Sequence, residues 1–444
     1  MKIWLVILFL LLSNVVGCSY RIPKGAHLIQ AAADSSSHFC PQLAPPEHRH
    51  KTEFIKSGVV RSLLRKLSAA SPNTTLLLAD GVYALAPNQS LEVNTPRVTL
   101  TSASGSRDAV IIEGGYNSVS INTNDVTVAN LTLRYPKFHA IQVRGEKGLQ
   151  GSKIYNVHLV DAGQQFVKVS TGDGTKGKFA DNGLVACSLI EYTTYARGTD
   201  VTPPSYTNGV DILAGKGWVI RDNVFRKIRS QAGPAGPAIL AWKNAMDSVV
   251  QRNLIVDCWR GIALGLSTPN KLSRGGADVL YDHQHGRVEN NVILALHEPA
   301  DAAIENNFAL NSRVLHNTVY YHEAVKHAVD WAIEYRFPPT TAVIQNNLTN
   351  LRILKRPPYP HQEAKMEGNI THAAPAWFRD LTHEDVHLVE AAPAIDAGVA
   401  VPDSTDDIDG DTRPAGHAPD AGADEFVSPS AFLNVVSPTS RSLF

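Results

Sequence analysis

A short unit recurs along most of this chain and limits what it can fold into. An apolar run of four or five residues leads to an asparagine, two or three apolar residues follow, and a polar turn closes the unit. The asparagines are Asn130 (VANLTL), Asn156 (IYNVHL), Asn223 (IRDNVF), Asn253 (VQRNLI), Asn291 (VENNVI), Asn317 (VLHNTV), Asn347 (IQNNLT) and Asn369 (MEGNIT). Cys187 (LVACSLI) holds the matching place between Asn156 and Asn223. The step averages about 30 residues and varies, as a solenoid allows, because extra length goes into loops on one face.

The stretch 237–266, PAILAWKNAMDSVVQRNLIVDCWRGIALGL, displays the unit in full. Strands are expected at 238–242, 248–251, 254–256 and 261–264, with a turn at 244–247 and a corner at Asn253. Apolar runs this short fit buried strands and not helices. One coil of three short strands cannot bury its apolar side chains. Stacked coils about 4.8 Å apart bury them in a continuous interior, and same-sense winding makes the strands parallel. Asparagine suits the corner because it tolerates left-handed backbone geometry and its side-chain amide can bond to the next coil.

From Thr75 to Phe426 the pattern resembles the right-handed parallel β-helix proteins, the architecture of pectate lyases, polygalacturonases and chondroitinase-type lyases. The runs YTNGVDI (206–212), DCWRGIALGL (257–266), AIEYRFPPTT (332–341) and PAIDAG (393–398) look like a group of bacterial envelope β-helix proteins. The resemblance implies an all-β fold, a single-stranded right-handed parallel β-helix. It implies little about the reaction, since one fold hosts many chemistries.

The 444 residues are 43% hydrophobic and 19% charged, with a net charge of −1, which argues against a nucleic-acid partner. Lys2, the apolar run 3–12 and Val15-Val16-Gly17-Cys18 have the layout of a secretory signal. Their end resembles the bacterial lipobox, which implies lipidation of Cys18, a membrane anchor without a membrane span, and an envelope location. With Cys18 lipidated, Cys40, Cys187 and Cys258 are odd in number, so no full disulfide framework is expected. Cys187 and Cys258 read as small apolar interior groups. Residues 19–56 read as a tether. Residues 57–74 read as a capping helix, with Val60, Leu63, Leu64 and Leu67 at three- and four-residue spacing. Residues 75–426 form the solenoid with a terminal cap, and 427–444 a loose tail.

Strand alternation places candidate chemistry on one face. In the strand taken after each corner, the outward residues are Arg144, Lys168, Asp211, Lys243, a small-residue step at Ala263 and Gly265, then Glu305, Glu334 and Arg336. The insertions 170–182, 192–208, 229–237 and 267–286 are expected to frame a groove. An acidic polysaccharide laid along it would meet one coil about every 5 Å. A lyase would use Lys243 as base with Arg260 or Lys168 neutralising a uronate carboxylate. In chondroitinase-type lyases a lysine and a downstream arginine lie on neighbouring coils. Here Arg260 follows Lys243 but stands before its strand, and 264–266 carries no arginine. A hydrolase would use Glu305 and Glu334, about 5 Å apart on adjacent coils, where like charges raise one pKa. His285 is a further groove candidate. Asp407, Asp409 and Asp411 in DDIDGDTRP resemble a Ca2+ loop but lack its distal glutamate, and an Asx-turn cap is the competing reading. The function expected is a monomeric envelope protein that cleaves an acidic glycan; the alternative is a non-catalytic glycan-binding or structural protein.

Overall fold

The computed structural model describes residues 40–41, 51–356 and 360–428. The signal sequence, Cys18 and the residues after 428 lie outside the described residues. Each turn of the chain gives one strand to each of three parallel sheets. Val219–Arg221 enters the first, Val224–Arg226 the second and Pro237–Trp242 the third, before Val249–Gln251 returns to the first. The first sheet has twelve strands and the others ten each. This is the right-handed parallel β-helix expected.

Register is kept by stacked side chains. In the first sheet Val185, Ile220, Val250, Val288, Val314 and Ile344 are successive partners, and all are fully buried. β-Branched residues fit a pleated surface packed this way, and a one-residue slip would turn the whole file outward. The helix Val60–Ser68 closes the N-terminal end, with Leu63 and Leu67 buried beneath it.

The asparagines occupy two columns, one residue apart, where a single column was expected. Asn130, Asn156 and Cys187 have positive φ, and their register equivalents on later coils are Asp222, Arg252, Asn290, His316 and Asn346, also at positive φ. The residue after each forms the second column: Leu131, Val157, Ser188, then Asn223, Asn253, Asn291, Asn317, Asn347 and Asn369. From Asn223 onward each asparagine gives its backbone N–H and its Nδ2 to the Oδ1 of the next. For Asn291 to Asn317 these distances are 3.0 and 2.9 Å. The second Nδ2 hydrogen goes back to a carbonyl of the preceding coil, as from Asn291 to Val250 at 2.9 Å. Five of these asparagines, Asn223 to Asn347, are completely buried. Left-handed geometry thus belongs to the residue before the ladder, and the asparagine itself completes the hydrogen bonding.

Three expectations need correction. Cys40 and Cys187 form a disulfide, so Cys187 is not a mere space-filler; among the described residues Cys258 remains as a free buried thiol. The disulfide and a hydrogen bond from the Tyr155 hydroxyl to Pro41 O pin residues 40–41 to the outside of the first sheet. The tether also ends early, because Lys51–Ile55 is a strand paired with Thr74–Leu78. Finally, the chain after the last coil does not plug the open end. It folds back as a strap over the outer face of the second sheet, where Val224, Leu254, Val292 and Tyr320 pack against Phe378, Leu388, Ile408 and Ala423. Arg226 clamps the strap through both oxygens of Glu384 at 2.6 Å.

Two outcomes follow from this packing. Asn291→Ala leaves the buried Asn253 N–H without an acceptor and takes one of three acceptors from its Nδ2, and should cost about 2 kcal/mol, read as a lower urea midpoint. Asn130→Ala, at the half-buried outer column, should cost less, about 1–2 kcal/mol, chiefly the left-handed backbone that alanine adopts poorly. Opening the disulfide frees a loop spanning 147 residues. By the chain-entropy account Cys40→Ser should then lose about 5 kcal/mol, and non-reducing peptide maps should join the two cysteine peptides.

Candidate functional site

The third sheet presents two outward columns, and they lie on the second strand after each corner, not the first. Register pairing gives Gln142, Lys168, Asp211, Leu240, Ala263, Glu305 and Glu334 as one column. Two residues along each strand lie Arg144, Ser170, Leu213, Trp242, Gly265, Asn307 and Arg336. The small-residue step therefore stands where expected, while Arg144 and Arg336 belong to the second column. Lys243 belongs to neither. Ile239 and Ala241 point inward, so Leu240 and Trp242 point out and Lys243 falls in the turn at positive φ. All six residues of PAILAW are apolar, so alternation alone did not fix the register.

The column is also less open than an exposed stripe. Lys168, Asp211, Glu305 and Glu334 are all buried, and Ala263 is fully covered. Their charges meet within the face. Lys168 Nζ is ion-paired with Asp211 Oδ2, and the Trp242 indole N–H donates to Asp211 Oδ1 at 2.8 Å. Arg260 Nε lies 2.8 Å from Asp301 Oδ2 and 3.3 Å from Glu305 Oε1. Asn307 Nδ2 donates to Glu305 Oε2 at 3.1 Å. Glu305 and Glu334 are direct register partners. Arg356 reaches both oxygens of Glu334 at 3.1 and 3.0 Å, and Trp331 Nε1 donates to it at 2.8 Å. Burial, followed by the competing effects of Arg260 and Glu334, pushes the Glu305 carboxyl up to about 7.

Lys243 Nζ sits 4.1 Å from the centre of the Trp242 ring and 3.3 Å from Ser267 Oγ. Burial lowers its pKa against the pull of Asp282 and Asp211. Among the described residues no carboxylate lies within 4 Å of this amine. Lys243 and Arg260 are not brought together. They leave opposite ends of adjacent strands, six positions apart, or about 20 Å along the strand direction.

The four insertions rise from both ends of the third-sheet strands. Segments 192–208 and 229–237 precede their strands, and 170–182 and 267–286 follow theirs. The first two border a cleft of about 320 Å³ lined by Tyr206, Trp242, Trp259, Leu240, Asp211 and Arg260. The three aromatic residues were not singled out in the sequence, although Trp259 and Trp242 flank Arg260 and Lys243 directly. His285 lies outside the cleft, with Nδ1 3.4 Å from Asp247. In the 407–411 loop the aspartates do not converge into an oxygen cage. Asp407 Oδ1 accepts the N–H groups of Asp409 and Asp411, and Oδ2 that of Glu425. Asp409 turns instead to His387.

No family model matches the chain, and no curated protein matches it. Among solved structures it is similar to the pectate lyase Pel9A, with a TM-score of 0.54 and 12% identity over 85% of this chain and 98% of that one. It is also similar to a mannuronic acid specific family 6 polysaccharide lyase from human gut microbiota, with a TM-score of 0.45 and 11% identity over 72% and 80% of the two chains. The first of these shows the shared architecture, a pectate lyase-like parallel β-helix. At 12% identity the likeness is one of fold and not of chemistry.

Glu305 gives a pH signature. Its folded pKa of about 7 lies above the ordinary 4.5, so between those values the folded state holds a proton that the unfolded state releases. That contribution is fully present below pH 4.5 and is lost as pH rises through about 7. Stability of the wild type should fall across this window relative to Glu305→Gln, measured by denaturant melts at a series of pH values.

Proposed function

We propose that this protein is an exported glycan-active enzyme that cleaves an acidic polysaccharide by β-elimination in the cleft over the third sheet. The observation that carries this reading is the cleft itself, whose lining brings Tyr206, Trp242 and Trp259 together with Arg260, which is ion-paired with Asp301 and Glu305, and with Asp211, which is ion-paired with Lys168. Aromatic faces suit the C–H surfaces of sugar rings, and Arg260 suits a uronate carboxylate. The neighbour Pel9A, of the same architecture, is a pectate lyase by name, and an acidic polymer is the substrate class carried over from it.

In β-elimination a base removes the proton beside the uronate carboxyl group, a cation stabilises the charge that develops, and the bond to the leaving sugar breaks. Lys243 is the favoured base, and because it stands about 20 Å from Arg260 along the strand direction, Arg260 would hold the carboxylate of a different sugar and not that of the ring being deprotonated. Among the described residues no carboxylate lies within 4 Å of its amine, and burial lowers its pKa, the direction a general base needs. Its place beside Trp242 puts it at the cleft's edge and not in the carboxylate column. A hydrolytic pair at Glu305 and Glu334 draws less support, because Arg260, Asn307, Trp331 and Arg356 already occupy those carboxylates. The disulfide supports an oxidising compartment, which agrees with export and with anchoring through Cys18.

The test is a panel of uronate polymers assayed for the ultraviolet absorbance of an unsaturated product, alongside reducing-end release and binding. Lys243→Ala should lower turnover about 100-fold or more while binding persists. Trp242→Ala should weaken binding about tenfold. Binding without unsaturated product from any polymer would make the protein a non-catalytic glycan binder. Reducing ends without product absorbance would make it a hydrolase.

A further inference from the structure

We propose that His387, Asp409 and Asp424 form a binding site for a divalent transition-metal ion, with Zn2+ the best match, that staples the C-terminal strap together. One ligand atom from each of the three residues lies within 4.8 Å of the other two. They come from separate segments of the strap: the strand Asp385–Leu388, the turn that Asp407 organises, and the final turn before Phe426.

The ring of His387 is oriented from behind. Its Nδ1 faces Asp385 Oδ1 at 2.5 Å, which turns Nε2 towards Asp409 Oδ2 at 2.5 Å and Asp424 Oδ1 at 3.8 Å. A carboxylate on the far nitrogen is the arrangement that fixes the tautomer and aim of a metal-binding imidazole. Asp424 adds an independent observation. It is only 5% exposed, and its Oδ2 accepts the Leu388 N–H at 2.7 Å. Its Oδ1 faces His387 Nε2 at 3.8 Å, so all three ligand atoms are turned towards one point.

The surrounding charge points the same way. Asp385, Asp407, Asp409, Asp420, Asp424 and Glu425 all lie in or beside this interior. Facing them are His387, Arg413, which is spent on Glu425 at 2.7 Å, and Arg379 at the rim, 3.4 Å from Asp385. A doubly charged ion offsets this excess. One imidazole nitrogen with carboxylate oxygens favours Zn2+ over Ca2+ or Mg2+, which take oxygen ligands. On binding, the proton on His387 Nε2 leaves for solvent, a metal–nitrogen bond and the carboxylate–metal bonds form, and no electrons are transferred. Asp409 moves off Nε2 to admit an ion with bonds of about 2.0–2.2 Å. The site is enclosed and lies against the second sheet, so its role is structural.

The full-length protein would be refolded or dialysed with Zn2+ alone, freed of loose metal, and measured for metal content and thermal midpoint. One Zn2+ per chain is expected, with release of about one proton and a midpoint several degrees above that of chelator-treated protein. Asp424→Asn and His387→Gln should both lose the metal. Asp424→Asn should keep the wild-type circular dichroism spectrum, which separates loss of the site from loss of the fold. Wild type that takes up no Zn2+, or variants that retain full stoichiometry, would overturn the site and leave His387 as a buried ion-paired imidazolium.

Discussion

The stack depends on keeping coils of unequal length in register, and the asparagine ladder does this where strand pairing cannot. At each corner between the first and second sheets a left-handed residue turns the chain. The N–H of the following residue then points along the stack, with no strand carbonyl to receive it. A side-chain oxygen one coil further on receives it instead. Val157 gives its N–H to Ser188 Oγ, Ser188 gives its own to Asn223 Oδ1, and the asparagines continue the series to Asn369. An amide is suited to a buried ladder because it accepts from the coil below while donating to carbonyls on its own and the preceding coil. Interruption at any step strands donors in the interior, where they cost most.

Register at the corner is what places the chemistry. Coils of 22 to 38 residues reach the third sheet after loops of very different length, yet Lys168, Asp211, Glu305 and Glu334 fall in one file. The variation is absorbed by segments at the ends of the third-sheet strands, and two of them, 192–208 and 229–237, become walls of the cleft. The same walls explain the burial of the file. Its charges pair with one another and with Arg260, Trp242 and Arg356 because the water that would otherwise solvate them is displaced.

Much of this was legible in the sequence. The period, the short apolar runs and the alternation in IQVR, VKVS and GVDIL gave the fold and most of one column. The limits have physical causes. VANLTL and VQRNLI look alike, but Asn130 turns the chain whereas Asn253 stands one place later and bonds inward; only strand boundaries separate the two. In PAILAW every residue is apolar, so period-two alternation had nothing to read, and Lys243 was placed in a column to which Leu240 belongs. The Cys40–Cys187 bond links a segment without periodicity to a coil 147 residues away, and sequence carries no signal of that proximity. The strap was read as an end cap because its aspartates signal turns without saying what surface lies beneath.

The three outer faces differ in a way that assigns their roles. The second sheet turns out Val224, Leu254, Val292 and Leu294, an apolar surface that water would penalise, and the strap covers it. The first sheet carries residues 40–41, held by the disulfide and by Tyr155. The third sheet cannot be covered in the way the second is. Packing an apolar strap on Lys168, Asp211, Glu305 and Arg260 would bury charges against groups that offer no hydrogen bonds. Tyr206 from one loop, with Trp242 and Trp259, borders a cleft on this face. On the proposed function, a sugar chain, which brings hydroxyl and carboxylate groups together with apolar ring faces, is the kind of ligand that matches a cleft of paired charges and aromatic rings.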